Sequence, residues 1–175
     1  MISLLVIGYG SPLHRDDAAG RHVAERVAAW EQPDVRAVSV RQLTPELSVS
    51  ISQALRVVFV DASLVESGGP VKLSELRPEA SATLSAHFSD PAWLLGLCRT
   101  LYGTCPEAWL LKIPTVDLEL GEELSAVGKA GVEGALDLLA SVFVLPPKER
   151  AERRVFAVPE QLPSICGEDR SPAPV

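Results

Sequence analysis

Short apolar runs and longer amphipathic stretches alternate along this chain, and their order predicts the architecture. Residues 2–7 form a nearly continuous apolar run closed by Gly8, the pattern of a strand covered on both faces. Residues 17–30 follow with Val23, Val27 and Trp30 at helical spacing, leaving Arg21, Glu25 and Arg26 for solvent. A second strand is expected at 35–40. Thr44-Pro45-Glu46 then supplies an N-cap residue, an N1 proline and an early acid for a helix running to about Ala54. The most apolar run, 57–60, reads as a third strand ending at Asp61. The connection Gly68-Gly69-Pro70 is too short for a crossover helix, so a strand at 71–76 should pair antiparallel with a neighbour. Asp90-Pro91 opens a helix to about Tyr102, residues 108–113 form a fifth strand, and a long helix spans about 121–143.

This βαβαββαβα order predicts a three-layer α/β fold: a mostly parallel, twisted, five-stranded sheet with helices on both faces. Gly128, Gly131 and Gly134 recur every third residue of the last helix, where each costs about 1 kcal/mol relative to alanine. A flat face packed closely against the sheet or a neighbouring helix would offset that cost. From Pro146 onward the texture changes, with six of the 14 prolines in the last 30 residues. The expected organisation is therefore an α/β domain over residues 1–145 and a proline-rich C-terminal tail over 146–175. The tail is expected to be weakly ordered or draped on the surface, with residues 155–158 able to dock as an extended segment.

At 175 residues one domain with a single core is expected. The net charge of −7 excludes nucleic acid and an anionic membrane as the main partner, since both need clustered cations. The apolar runs are strand-sized, far below the roughly 20 residues of a membrane span, and the opening residues lack a basic leader. A cytoplasmic location follows as the expectation. Cys98, Cys105 and Cys166 have no CxxC spacing, which fits reduced thiols.

The candidate chemistry gathers at strand ends, where ligands bind in open α/β sheets. Gly8-Tyr9-Gly10-Ser11 follows the first strand in the manner of a dinucleotide loop, but the third glycine position holds Leu13 and the helix entrance carries Asp16 and Asp17. A phosphate would be repelled there. One aspartate suffices to cap a helix; a second beside it calls for a cation or a donor. Asp61 ends the third strand, a plausible neighbour of the first, and His87 lies in the loop before the Asp90 helix. Two carboxylates and an imidazole form an O,O,N set that suits nickel, iron, zinc or manganese, with positions left for water or substrate. His14, inside the opening loop, is a candidate extra ligand or proton carrier, whereas His22 reads as boundary filler and Cys98 as a buried structural thiol.

The run Leu4-Leu5-Val6-Ile7-Gly8-Tyr9-Gly10-Ser11-Pro12-Leu13-His14-Arg15-Asp16-Asp17-Ala18-Ala19-Gly20 resembles the N-terminal signature of the nickel-dependent [NiFe] hydrogenase maturation endopeptidases, roughly GxGNxxxxD, then Asp or Glu, then xxG. Val57-Val58-Phe59-Val60-Asp61-Ala62 is similar to their third strand, Ser85-Ala86-His87 to their S-x-H segment, and residues 110–125 to their last strand, loop and helix start. The likeness covers about residues 2–143. It implies that Asp17, Asp61 and His87 are the catalytic and nickel-contacting side chains, with Asp16 as neighbour and helix cap, and with His14, Gly10 and Ser11 in support. It also implies that nickel arrives with the substrate, a [NiFe] hydrogenase large-subunit precursor, whose C-terminal extension the enzyme removes. Metal polarisation of the carbonyl or activation of a water, with a carboxylate as proton acceptor, is the chemistry expected of such a site. Ser11 stands where the family has asparagine, and Asp17 where glutamate also occurs. Two other readings stay open: a non-catalytic metal- or precursor-binding protein of the same fold, and a Rossmann-type nucleotide-binding domain.

Overall fold

The computed structural model of the chain describes residues 2–79 and 90–144. Five strands, β1 (Leu4–Tyr9), β2 (Val35–Val40), β3 (Arg56–Leu64), β4 (Lys72–Glu75) and β5 (Glu107–Thr115), form one sheet in the order β2-β1-β3-β5-β4. All neighbours are parallel except β4, which runs antiparallel to β5 at the edge, as the short glycine connection requires. Helices α1 (Ala19–Ala28) and α4 (Ala126–Leu139) cover one face, and α2 (Leu47–Ser52) and α3 (Pro91–Tyr102) the other.

Alternation along the strands divides the core accordingly. Leu4, Val6, Val58, Val60, Leu111 and Ile113 point to the α1/α4 side, while Leu5, Ile7, Val57 and Phe59 point to the α2/α3 side. Because β1 and β3 are adjacent and their following helices lie on opposite faces, the switch point of the sheet falls between their carboxyl ends.

Several boundaries differ from the sequence expectation, each for a physical reason. The first helix is preceded by a 3-10 turn at Arg15–Ala18, and the α-helix begins only at Ala19, because Arg15 and Asp16 reach across to the loop after β5. The second helix is shorter, Leu47–Ser52, entered by a turn in which Leu47 N bonds Thr44 O. β3 does not end at Asp61: β5 remains paired with it as far as Leu64↔Thr115 after β1 has turned away. The last helix starts at Ala126 because Ser125 caps it, accepting from Gly128 N at 3.0 Å, and a π turn at Ala140–Val144 replaces its final residues. Within that turn Phe143 meets Trp109 edge to face, ring centroids 5.0 Å apart. The Asp90 helix forms as expected, with Asp90 Oδ1 accepting from Ala92 N at 2.6 Å and Gly103 closing it in the left-handed region at φ 67°.

The three glycines of α4 have separate tasks. A Cβ at Gly131 would press on Ile113 and one at Gly134 would lie 3.2 Å from Val71 Cγ2, so both admit the sheet side. Gly128 makes room for the Asp16 carboxylate, which a Cβ there would strike.

Candidate functional site

The opening loop is built by close backbone approach. Gly8 lets the start of α1 descend onto β1, since a Cβ would collide with the Gly20 carbonyl, and Gly20 does the same against Val60. The glycines thus bring the helix start onto the chain's own strands. Gly10 adopts φ 140° with the Asp17 carbonyl packed where a side chain would be.

The two adjacent aspartates separate sharply. Asp16 is fully buried and caps neither its 3-10 turn nor α1, contrary to expectation. Its carboxylate instead accepts from Ser125 N at 2.7 Å, Ser125 Oγ at 2.7 Å, Val116 N at 3.1 Å and Asp117 N at 3.2 Å. Burial opposes its ionisation, yet these four bonds outweigh it and hold the carboxyl below the usual range. Arg15 adds a second tie to the same loop, donating to Asp117 Oδ2 at 2.7 Å. Asp17 points the other way, half-buried, with Oδ2 accepting from Ser11 N at 2.5 Å.

Asp61 lies one step beyond the Gly8↔Val60 pair, beside Tyr9, at the switch point. Burial raises its pKa and the neighbouring Asp17 charge adds to the rise; the Tyr9 hydroxyl, which donates to the carboxylate, and Lys112 act against it. Burial likewise pushes the Tyr9 phenol far above its ordinary value, reinforced by Asp61 and then by Asp90. Asp17 and Asp61 are thus brought together, two carboxylates at one strand edge whose mutual repulsion a cation would relieve. His87 lies outside the described residues, as do Cys166 and the 146–175 tail. Among the described residues no three His, Cys, Asp or Glu side chains gather as a metal cluster. His14 is exposed, its Nδ1 2.9 Å from Ser11 Oγ. Cys98 is buried and donates to Ser48 O at 3.7 Å, consistent with a structural thiol.

Tyr9, Lys112 and Ser125 escaped the sequence reading. Only the latter two left a signal, a lysine interrupting an apolar strand and a serine just before a helical apolar pattern. Two cavities lie away from the acid pair. One of about 690 Å³ opens by Gln53, Leu55 and Pro106 at the opposite strand ends, and one of about 480 Å³ lies between residues 67–71 and α4. The carboxylate pair, with its hydrogen bonds and the raised proton affinity of Asp61, is the better candidate for chemistry. No helix among the described residues is long and apolar enough to cross a membrane.

No protein-family model and no curated protein matches the chain. Solved structures do. The hydrogenase maturating endopeptidase HybD from E. coli superposes with a TM-score of 0.63 at 22% identity, covering 80% of this chain and 91% of that one. The [NiFe] hydrogenase maturation protease HybD from Thermococcus kodakarensis gives 0.62 at 24%, covering 81% and 99%. The maturation protease HycI from Thermococcus kodakarensis KOD1 gives 0.60 at 24%, covering 81% and 92%. Over about four fifths of its length this chain thus carries the fold of the [NiFe] hydrogenase maturation proteases.

Proposed function

We propose that the chain is an endopeptidase of [NiFe] hydrogenase maturation, which recognises nickel in the large-subunit precursor and removes the precursor's C-terminal extension. The observation that carries this reading is the pairing of Asp17 with Asp61 at the switch point of a sheet with this fold. Two carboxylates close to each other favour a divalent cation over any phosphate. Nickel enters this account as part of the substrate. Asp17 and Asp61 contact it, and His87, three residues before Asp90, is assigned as the third contact from its S-x-H segment.

For the cleavage, a water adds to the scissile carbonyl and its proton passes to a carboxylate and then to the leaving amine. Asp61 suits this proton transfer, because burial and the Asp17 charge have raised its proton affinity. Tyr9 holds its carboxylate in place.

Incubation with a nickel-loaded large-subunit precursor should shorten that precursor, and D17A, D61A or H87A should each abolish the shortening. Processing that survived all three changes would refute the assignment. Binding of the precursor without cleavage by the unaltered protein would favour a non-catalytic binding role.

A further inference from the structure

A row of side chains crosses the sheet on its α2/α3 side, starting from Asp61. Tyr9 on β1 and Asp61 on β3 come first, then Lys112 on β5, the register partner of Asp61, and then Lys72 on β4, the register partner of Lys112. The two lysines therefore stand directly opposite each other, an arrangement that is unfavourable in an antiparallel pair unless an anion answers it. Lys72 is on the edge strand, where a lysine guards against strand pairing. That explanation does not extend to Lys112, which lies on an interior strand between the buried Leu111 and Ile113 and is nevertheless exposed. Among the described residues neither ammonium has a carboxylate within 4.0 Å; Asp61 influences Lys112 only from farther away.

We propose that Lys112 and Lys72 form a carboxylate-binding subsite beside Asp61, which takes a carboxylate of the polypeptide bound at the acid pair. The ligand class rests on the endopeptidase reading above. Two ammonium groups balance one incoming carboxylate together with that of Asp61, and the nearby Asp61 disfavours a more highly charged phosphate. Hydrolysis itself creates such a group: water supplies the oxygen, the C–N bond breaks, the leaving amine takes both of the water's protons and departs as an ammonium, and the acyl side is left as a carboxylate. With neighbouring strands about 4.8 Å apart, a carboxylate formed at Asp61 lies within reach of Lys112. An acidic side chain of the substrate would present the same chemistry.

Fluorescence anisotropy with the full chain tests this, using a labelled peptide that ends at the mature C-terminus of the processed large subunit. The wild type should bind the free acid about tenfold more tightly than the C-terminal amide, and K72M/K112M should lose that preference while K72R/K112R keeps it. If acid and amide bind equally but replacing an acidic residue of the peptide by its amide weakens binding in the wild type alone, the subsite takes a side chain. If no carboxylate replacement changes binding, or the double methionine variant keeps the preference, the subsite is refuted. Both lysines are exposed, so circular dichroism should show the variants folded. Processing by the wild type, assayed in parallel, separates the two ideas: its absence refutes the endopeptidase reading, whereas charge-independent peptide binding alongside normal processing refutes only the subsite.

Discussion

The buried Asp16 carboxylate invites the most direct perturbation, Asp16→Asn, which keeps shape and removes charge. Oδ2 accepts from Val116 N, Asp117 N and Ser125 Oγ, while Oδ1 accepts from Ser125 N. An amide has one acceptor oxygen. Turned to serve the three donors, it presents its NH2 to Ser125 N, so one donor is left unmet and three bonds lose their charge assistance. Since an unmet buried donor costs about 1–3 kcal/mol and charged hydrogen bonds exceed neutral ones by up to about 1 kcal/mol, a loss of about 3 kcal/mol is expected. For a domain of this size that is a fall in Tm of about 6–12 °C. The pH dependence supplies a second readout. The folded-state pKa of Asp16 is lowered, so its stabilisation is fully present above the unfolded value of about 3.9 and is lost as pH falls through the folded value. Urea denaturation of wild type and variant should therefore show the widest gap near pH 7, narrowing below about pH 4. A gap that is absent at pH 7, or constant down to pH 2, would refute the account of Asp16 as an ionised structural centre.

Asp61 should behave in the opposite sense. Its folded-state pKa is raised, so ionisation costs stability as pH rises through the folded value, and Asp61→Asn should melt higher than wild type at pH 7, level with it near pH 3, and fail to process precursor. A lower Tm at pH 7 would contradict this. Gly128→Ala should destabilise by about 1–3 kcal/mol because its methyl strikes the Asp16 carboxylate, and calorimetry should show the penalty shrinking in an Asp16→Ala background. Gly134→Ala, meeting only Val71 at 3.2 Å, should be close to neutral, since the helix propensity gain of about 1 kcal/mol offsets the contact. Gly10→Ala should lower both stability and precursor binding, because φ 140° and the Asp17 carbonyl leave no room for a methyl; retained binding with an unchanged Tm would count against it.

Much of the architecture was legible because it rests on local signals. The apolar runs 4–7 and 57–60, the Asp90-Pro91 start with its Gly103 stop, and the short glycine turn before β4 each specify an element without reference to distant residues. They suffice for the strand and helix order and for the adjacency of β1 and β3. Long-range pairing was not legible. Asp16 looks like a helix cap until Ser125, more than a hundred residues on, is known to donate to it. β3 continues past Asp61 only because β5 is long enough to stay beside it. Tyr9 and Lys112 became neighbours of Asp61 through register, which a single sequence does not display.

The bonds from Asp16 to residues 116, 117 and 125 also constrain the order of assembly. Asp17 takes its position from the same turn, so the acid pair cannot be set until β5 has joined the sheet and α4 has docked. These are among the most distant contacts in the chain and the costliest to close. A nascent or truncated chain lacking residues 116–125 carries both aspartates without assembling them, so the assembled acid pair reports that the domain around it has folded.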